Sequence, residues 1–145
     1  MLIPRNQLCA LIPHGSGMCM LDEVVSWDET TICCRTSTHV DPGNPLRTAS
    51  GLSSLQAVEY GAQAMAVHGG LLARERKQSL NTAYLAALRQ VVLNVDWLHD
   101  RPAPLVVDAQ RLMAAGNSMI YDFRVLSDGD VLVQGRAIVM GSAGG

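Results

Sequence analysis

The sequence predicts an α+β fold in which an antiparallel sheet wraps around one long central helix. Three observations lead there. Residues 51–72 are apolar or small on nearly every face, as expected of a helix buried on every face. The segments on both sides of it are rich in Val, Ile, Leu and Thr and read as strands. The strands also come in runs with one segregated helix, which argues against βαβ units and a parallel sheet.

The elements follow in order. At 145 residues the chain is long enough for one domain with its own core, spanning 1–140. Residues 5–11 predict a short helix that stops ahead of Pro13. The loop His14-Gly15-Ser16-Gly17 comes next, too short for a phosphate-binding fingerprint. Residues 23–28 and 30–40 predict two strands around a turn at Asp28-Glu29, and Asp41-Pro42-Gly43-Asn44-Pro45 breaks the second. The central helix takes Ser53 or Ser54 as N-cap and closes at Gly69-Gly70. A charged surface connection over 73–82 leads to strands at 83–97 and 104–114. Residues 118–126 and 131–140 predict a hairpin around Ser127-Asp128-Gly129-Asp130. The tail 141–145 has nothing to pack against and is expected to be disordered.

Glu59 is the only formal charge between Arg47 and Arg74, leaving aside the titratable His68. Burying a lone carboxylate costs several kcal/mol or forces it to take up a proton. Its position therefore asks for a functional reason. One sheet cannot cover both faces of a helix, so a second subunit is expected to cover the other.

Composition narrows the classes. Eleven basic against 13 acidic residues give a net charge of -2, which offers no general attraction to nucleic acid or acidic membranes. Cys9, Cys19, Cys33 and Cys34 form no CxxC pair and no zinc spacing, so reduced thiols and no metal are expected. Pro4, Arg5, Asn6 and Pro13 make the N-terminus a poor signal peptide. Gln56, Glu59, Gln63 and His68 make the central helix a poor membrane span. A cytoplasmic protein is the expectation. His39 and His68 are expected to be structural, Asp22 to organise a loop, and Arg35, Arg89, Arg111, Arg124 and Arg136 to be solvated charges.

Four stretches carry a resemblance in chain order: Leu11-Ile12-Pro13-His14 with Asp22 and Val24 downstream; His39 to Pro45, HVDPGNP; Val58-Glu59-Tyr60-Gly61-Ala62-Gln63-Ala64; and Ala83-Tyr84-Leu85-Ala86-Ala87-Leu88. Together they resemble the hotdog-fold 3-hydroxyacyl-(acyl-carrier-protein) dehydratases, and look most like those of aryl-polyene and related polyketide clusters. The resemblance implies a hotdog fold that dimerises by joining two sheets edge to edge. It implies that His14 and Glu59 are catalytic, with His14 of one subunit facing Glu59 of the other. A histidine suits the base that takes the C2 proton, and a carboxylic acid can protonate the departing C3 hydroxyl. It further implies acyl carrier protein as a partner, in a homodimer or heterodimer of hotdog subunits. No cofactor is implied, since the substrate brings its own 4′-phosphopantetheine arm.

The family stabilises the thioester oxygen with a Pro-Gly at the helix start, where this chain has Ser53-Ser54. The substrate-binding candidates are accordingly Gly51, Ser54 and Leu55, with Gln63 one turn past Glu59, placed either to orient Glu59 or to hydrogen-bond across the dimer. Gly15 and Gly17 likewise replace the arginine and proline that follow the family's histidine. Two alternatives stand beside the dehydratase: a hotdog thioesterase whose helix carboxylate activates water, and a non-catalytic hotdog subunit that pairs with an active dehydratase.

Overall fold

The alternation of buried and exposed residues along the strands lays one face of a curved sheet against the helix. The computed structural model describes residues 2–12, 16–77 and 83–141. Its strands are β1 (Ile3–Pro4), β2 (Glu23–Trp27), β3 (Thr31–Thr36), β4 (Ala83–Leu93), β5 (Leu105–Ala115), β6 (Ser118–Ser127) and β7 (Asp130–Gly141). The helices are α1 (Arg5–Cys9) and α2 (Ala57–Glu75). The strands form one antiparallel sheet of order β1-β2-β3-β5-β6-β7-β4, so β4 lies at an edge.

Inward residues of the middle strands build the core with α2. Ile32, Val107, Phe123 and Ala137 join Tyr60, Ala64, Met65 and Val67 there. Gly61 sets how closely helix and sheet approach: a Cβ at this position would fall 2.6 Å from Cδ2 of Phe123. The hairpin turns as expected, with Asp128 and Gly129 both at positive φ (53° and 85°), the signature of a type I′ turn.

The structure departs from expectation in three elements. Gly69-Gly70 does not close α2, which continues to Glu75. A helical glycine costs only about 1 kcal/mol, and Gly70 packs under Leu11, where a Cβ would lie 3.1 Å from a methyl. The second expected strand stops at Thr36, and Thr38–Val40 is a 3-10 turn. Asp22 takes the Ser37 N–H at 2.8 Å, so its loop-organising role holds. The strand expected over 83–97 ends at Leu93: the Asn94 N–H still reaches Leu132 O (2.8 Å) and its Nδ2 donates to Val131 O (3.0 Å), and the chain bends there toward residues 52–54. At the other end of the chain β7 reaches Gly141; the remainder of the expected tail lies outside the described residues.

The cysteines also depart from expectation. Cys9 and Cys19 form a disulfide, their Cα atoms 5.7 Å apart, in place of the expected free thiols. The end of α1 and the approach to β2 bring them within bridging distance despite spacing that matches no motif. Cys33 and Cys34 remain thiols on opposite faces of β3, and burial pushes Cys34 up to about 12. Thiol titration of unfolded protein should therefore find two reactive groups before reduction and four after. A closed loop of sequence separation 10 is worth about 2–3 kcal/mol on the chain-entropy model, so Cys9→Ser should lower Tm by several degrees. Four titratable thiols without reductant would contradict the bridge.

His68 is structural, as expected. Its Nε2 donates to Asp28 O at 2.8 Å, which leaves Nδ1 to accept from the Tyr121 hydroxyl at 2.6 Å. Burial pushes Tyr121 up to about 12, so it stays a donor. Burial also lowers the pKa of both His68 and His39 below the ordinary histidine value. The folded protein thus binds fewer protons than the unfolded chain as pH falls through about 6.5. Their contribution to stability is complete above that pH and is lost below it, by at most about 1.4 kcal/mol per pH unit for each histidine. Chemical denaturation between pH 7 and 5 should show this fall, and a His68→Gln variant a shallower one.

Candidate active site

Glu59 occupies the one side of α2 that its own sheet leaves open. Leu55 is exposed, and Val58, Glu59, Ala62, Ala66, Gly69 and Ala73 are half-buried; their spacing makes a stripe along the helix. Every other position of α2 from Ala57 through Leu72 is buried. A helix predicted to be buried all round is thus covered on all but one side by this chain alone. The carboxylate sits in that opening, with no ion-pair partner among the described residues.

Gln63, only 2% exposed, holds the carboxylate from one turn on. Its Nε2 donates to Glu59 Oε2 at 2.8 Å and to Met18 O at 2.7 Å, while its Oε1 accepts the Met20 N–H at 2.7 Å. The backbone partners fix the orientation of the amide, since a carbonyl can only accept and an N–H only donate. Gln63 therefore orients Glu59 and pins residues 18–20, immediately after the loop that contains His14. His14 itself lies outside the described residues, as do Pro13 and Gly15.

The other candidates lie at the head of α2, where Ser54–Gln56 forms a 3-10 turn capped by Ser53 Oγ on the Leu55 N–H (3.2 Å). The Gly51 N–H donates to Thr48 O at 3.0 Å and the Ser54 N–H to Asp96 O at 2.9 Å. All three candidate amides thus have acceptors within this chain. Between Gly51 and Leu55, the Ser53 N–H is the one with no acceptor among the described residues. The sequence offered no way to single it out, because the pairing of residues 52–54 with 96–98 depends on the chain turning at Asn94.

Neighbouring residues support the site from behind. The Tyr60 hydroxyl pairs with Thr38 Oγ1 (2.9 Å) and accepts from Asn44 Nδ2 (3.1 Å), which anchors the HVDPGNP loop to α2. The sequence marked Asn44 only as part of a breaker. His39 is fully buried and donates through Nε2 to Arg101 O at 2.7 Å, which makes it a structural strut. A groove of about 340 Å³, lined by Cys33, Asp108, Asp122 and Arg124 among others, opens on the far face of the sheet. Its charges are spent in cross-strand pairs, Asp108 with Arg124 (2.9 Å) and Asp122 with Arg136 (2.8 Å). No cluster among the described residues could hold a metal ion, and no helix there is long and apolar enough to cross a membrane.

The geometry can be set beside known proteins. No curated protein sequence matches the chain. Among solved structures, the dehydratase heterocomplex ApeI:P from Xenorhabdus doucetiae superposes with a TM-score of 0.84 at 23% identity, covering 98% of this chain and 93% of that one. A thioesterase variant from Pseudomonas aeruginosa superposes with a TM-score of 0.65 at 13% identity, covering 96% of this chain and 94% of that one. The E. coli PaaI protein gives 0.60 at 13% identity, covering 81% and 80%. At these identities the superpositions establish the hotdog fold, and dehydratases and thioesterases share it. The distinction between them comes from the sequence itself. The model of the ApeP dehydratases matches residues 6–143, nearly the whole chain, and the protein belongs to the ApeP-like dehydratase family.

Proposed function

We propose that this dehydratase removes water from a 3-hydroxyacyl thioester carried on acyl carrier protein, giving the trans-2-enoyl thioester, in fatty acid or aryl-polyene-type biosynthesis. The observation that carries this reading is a carboxylate on the open side of a helix that has no other formal charge before Arg74, held by Gln63 beside the end of the His14 loop. His14 takes the C2 proton and Glu59 delivers a proton to the departing C3 hydroxyl. The two electrons of the C2–H bond form the C2=C3 bond as the C3–O bond breaks, so no redox cofactor is needed. Negative charge on the thioester oxygen falls to a backbone amide at the head of α2, with the Ser53 N–H the available donor.

A carboxyl group that must donate a proton needs dry surroundings, which a second hotdog subunit over the open side of α2 would supply. Two features favour such a subunit. Among the described residues the edge strand β4 is paired only with β7, and Leu85, Leu88 and Leu93 on it are 38–45% exposed. The partner is a second copy or a related hotdog chain; the heterocomplex of the Xenorhabdus relative favours the related chain. We place the protein in the cytoplasm together with its acyl carrier protein, a compartment in which the Cys9–Cys19 bridge is unusual.

The test incubates the purified protein, alone and with a second hotdog subunit, with a 3-hydroxyacyl carrier and follows mass. Loss of 18 Da, the mass of a water, supports the dehydratase. Release of free carrier thiol would point to a thioesterase. Product that appears only with the second hotdog subunit, and that survives Glu59→Gln in this chain, would favour a non-catalytic subunit.

A further inference from the structure

The connection after β4 is bound tightly to the lead into α2. The Leu98 N–H donates to Leu52 O at 2.9 Å and the Ser54 N–H to Asp96 O at 2.9 Å. Between these main-chain bonds the His99 imidazole accepts the Leu52 N–H at Nδ1, 3.0 Å away. Its ring lies directly over Gly51, where a Cβ would fall 2.0 Å from Cε1. Gly51 has a φ of +120°, a conformation that further requires glycine. Trp97 meets the ring edge-on, with centroids 5.4 Å apart. Three contacts thus fix one half-buried ring, and its accepting nitrogen puts the proton of the neutral ring on Nε2.

We infer that His99 is a positioning residue: it locks the lead into α2 and thereby sets where the helix presents Glu59. The inference rests on the dehydratase reading given above. Glu59 lies seven residues beyond Leu52, past the Ser54–Gln56 3-10 turn and in the first turn of α2. A helix moves as a rigid rod, so a shift of its first turn carries the carboxylate with it. A misplacement of about 1 Å can cost on the order of 100-fold in rate. The main-chain bonds of the clasp survive substitution at 99, and the Leu52 bond and the contacts with Gly51 and Trp97 are lost.

The test compares His99→Ala, His99→Asn and His99→Gln in the active assembly. Asparagine places an oxygen where Nδ1 was, whereas the amide of glutamine reaches to the position of Nε2. The alanine and glutamine variants should lose about 10–100-fold in kcat with KM within about twofold, and the asparagine variant should keep at least half of kcat. Exchange of the Leu52 amide should be slow in wild type and His99→Asn and fast in the other two. Wild-type kcat in His99→Ala, or an asparagine variant as slow as the alanine one, would overturn the inference. Should the alanine variant fail to fold, the contrast between asparagine and glutamine carries the test. If the wild-type protein dehydrates nothing, the functional reading has failed, while amide exchange still decides whether His99 holds the clasp.

Discussion

Glu59→Gln should leave a folded protein whose dehydration rate has fallen by roughly 10²–10⁴-fold, the usual worth of a positioned general acid. Glutamine has nearly the same shape, and its side-chain oxygen can still accept the Gln63 Nε2 hydrogen bond made at 2.8 Å in the wild type. Packing along α2 is therefore kept, and Tm should stay within a few degrees. What is lost is the carboxyl's acidic proton, because an amide NH2 replaces its other oxygen. Glu59→Asp makes the complementary case, since it keeps the acid but withdraws it by one methylene from both Gln63 and the substrate. Its rate should fall between those of wild type and Glu59→Gln. Rate constants from single-turnover dehydration, with thermal melts alongside, check both variants. A Glu59→Gln variant with the wild-type rate would remove this carboxylate from the chemistry.

Much of this site was legible because it breaks a rule. A charge inside an uncharged, greasy helix is conspicuous in sequence, and so Glu59 stood out before any coordinates. Gln63 was visible by helical spacing, but not its reach to Met18 and Met20, because those contacts join segments more than 40 residues apart. The Asp128-Gly129 hairpin was readable because left-handed backbone at both positions restricts the choice of residue. Where the reading went astray, tertiary packing outweighed local preference. Gly70 looked like a helix stop, yet Leu11 fills the space its missing side chain leaves. The Cys9–Cys19 bridge has no sequence signature beyond two cysteines flanking a loop. The clasp at His99 was invisible for the same reason, since it exists only once β4 ends at Leu93 and the chain folds back on residues 51–54.

Gln63→Leu should damage both stability and catalysis, and the way it does so follows from the three bonds of one amide. Removing it leaves the Met20 N–H and the Met18 carbonyl without their partner. A buried backbone group left unpaired costs about 1–3 kcal/mol, in full for the Met20 N–H and less for the half-buried Met18 carbonyl, so unfolding free energy should drop by about 2–4 kcal/mol, measured by chemical denaturation. Gln63→Glu is the harsher case: its carboxylate can still accept the Met20 N–H but cannot donate to Met18 O or to Glu59, and it buries a like charge one turn from Glu59. Its stability should fall at least as far as that of Gln63→Leu, and its rate with it. The catalytic consequence is sharper in an assembly of two hotdog chains. If His14 of each subunit serves the Glu59 of the other, Gln63 touches one site through Glu59 and the second through residues 18–20, which follow the His14 loop. A complex carrying Gln63→Leu in only one subunit should then lose rate at both sites, whereas Glu59→Gln in one subunit should silence only one. Half of the wild-type rate in the mixed Gln63→Leu complex would mean that the amide serves Glu59 alone.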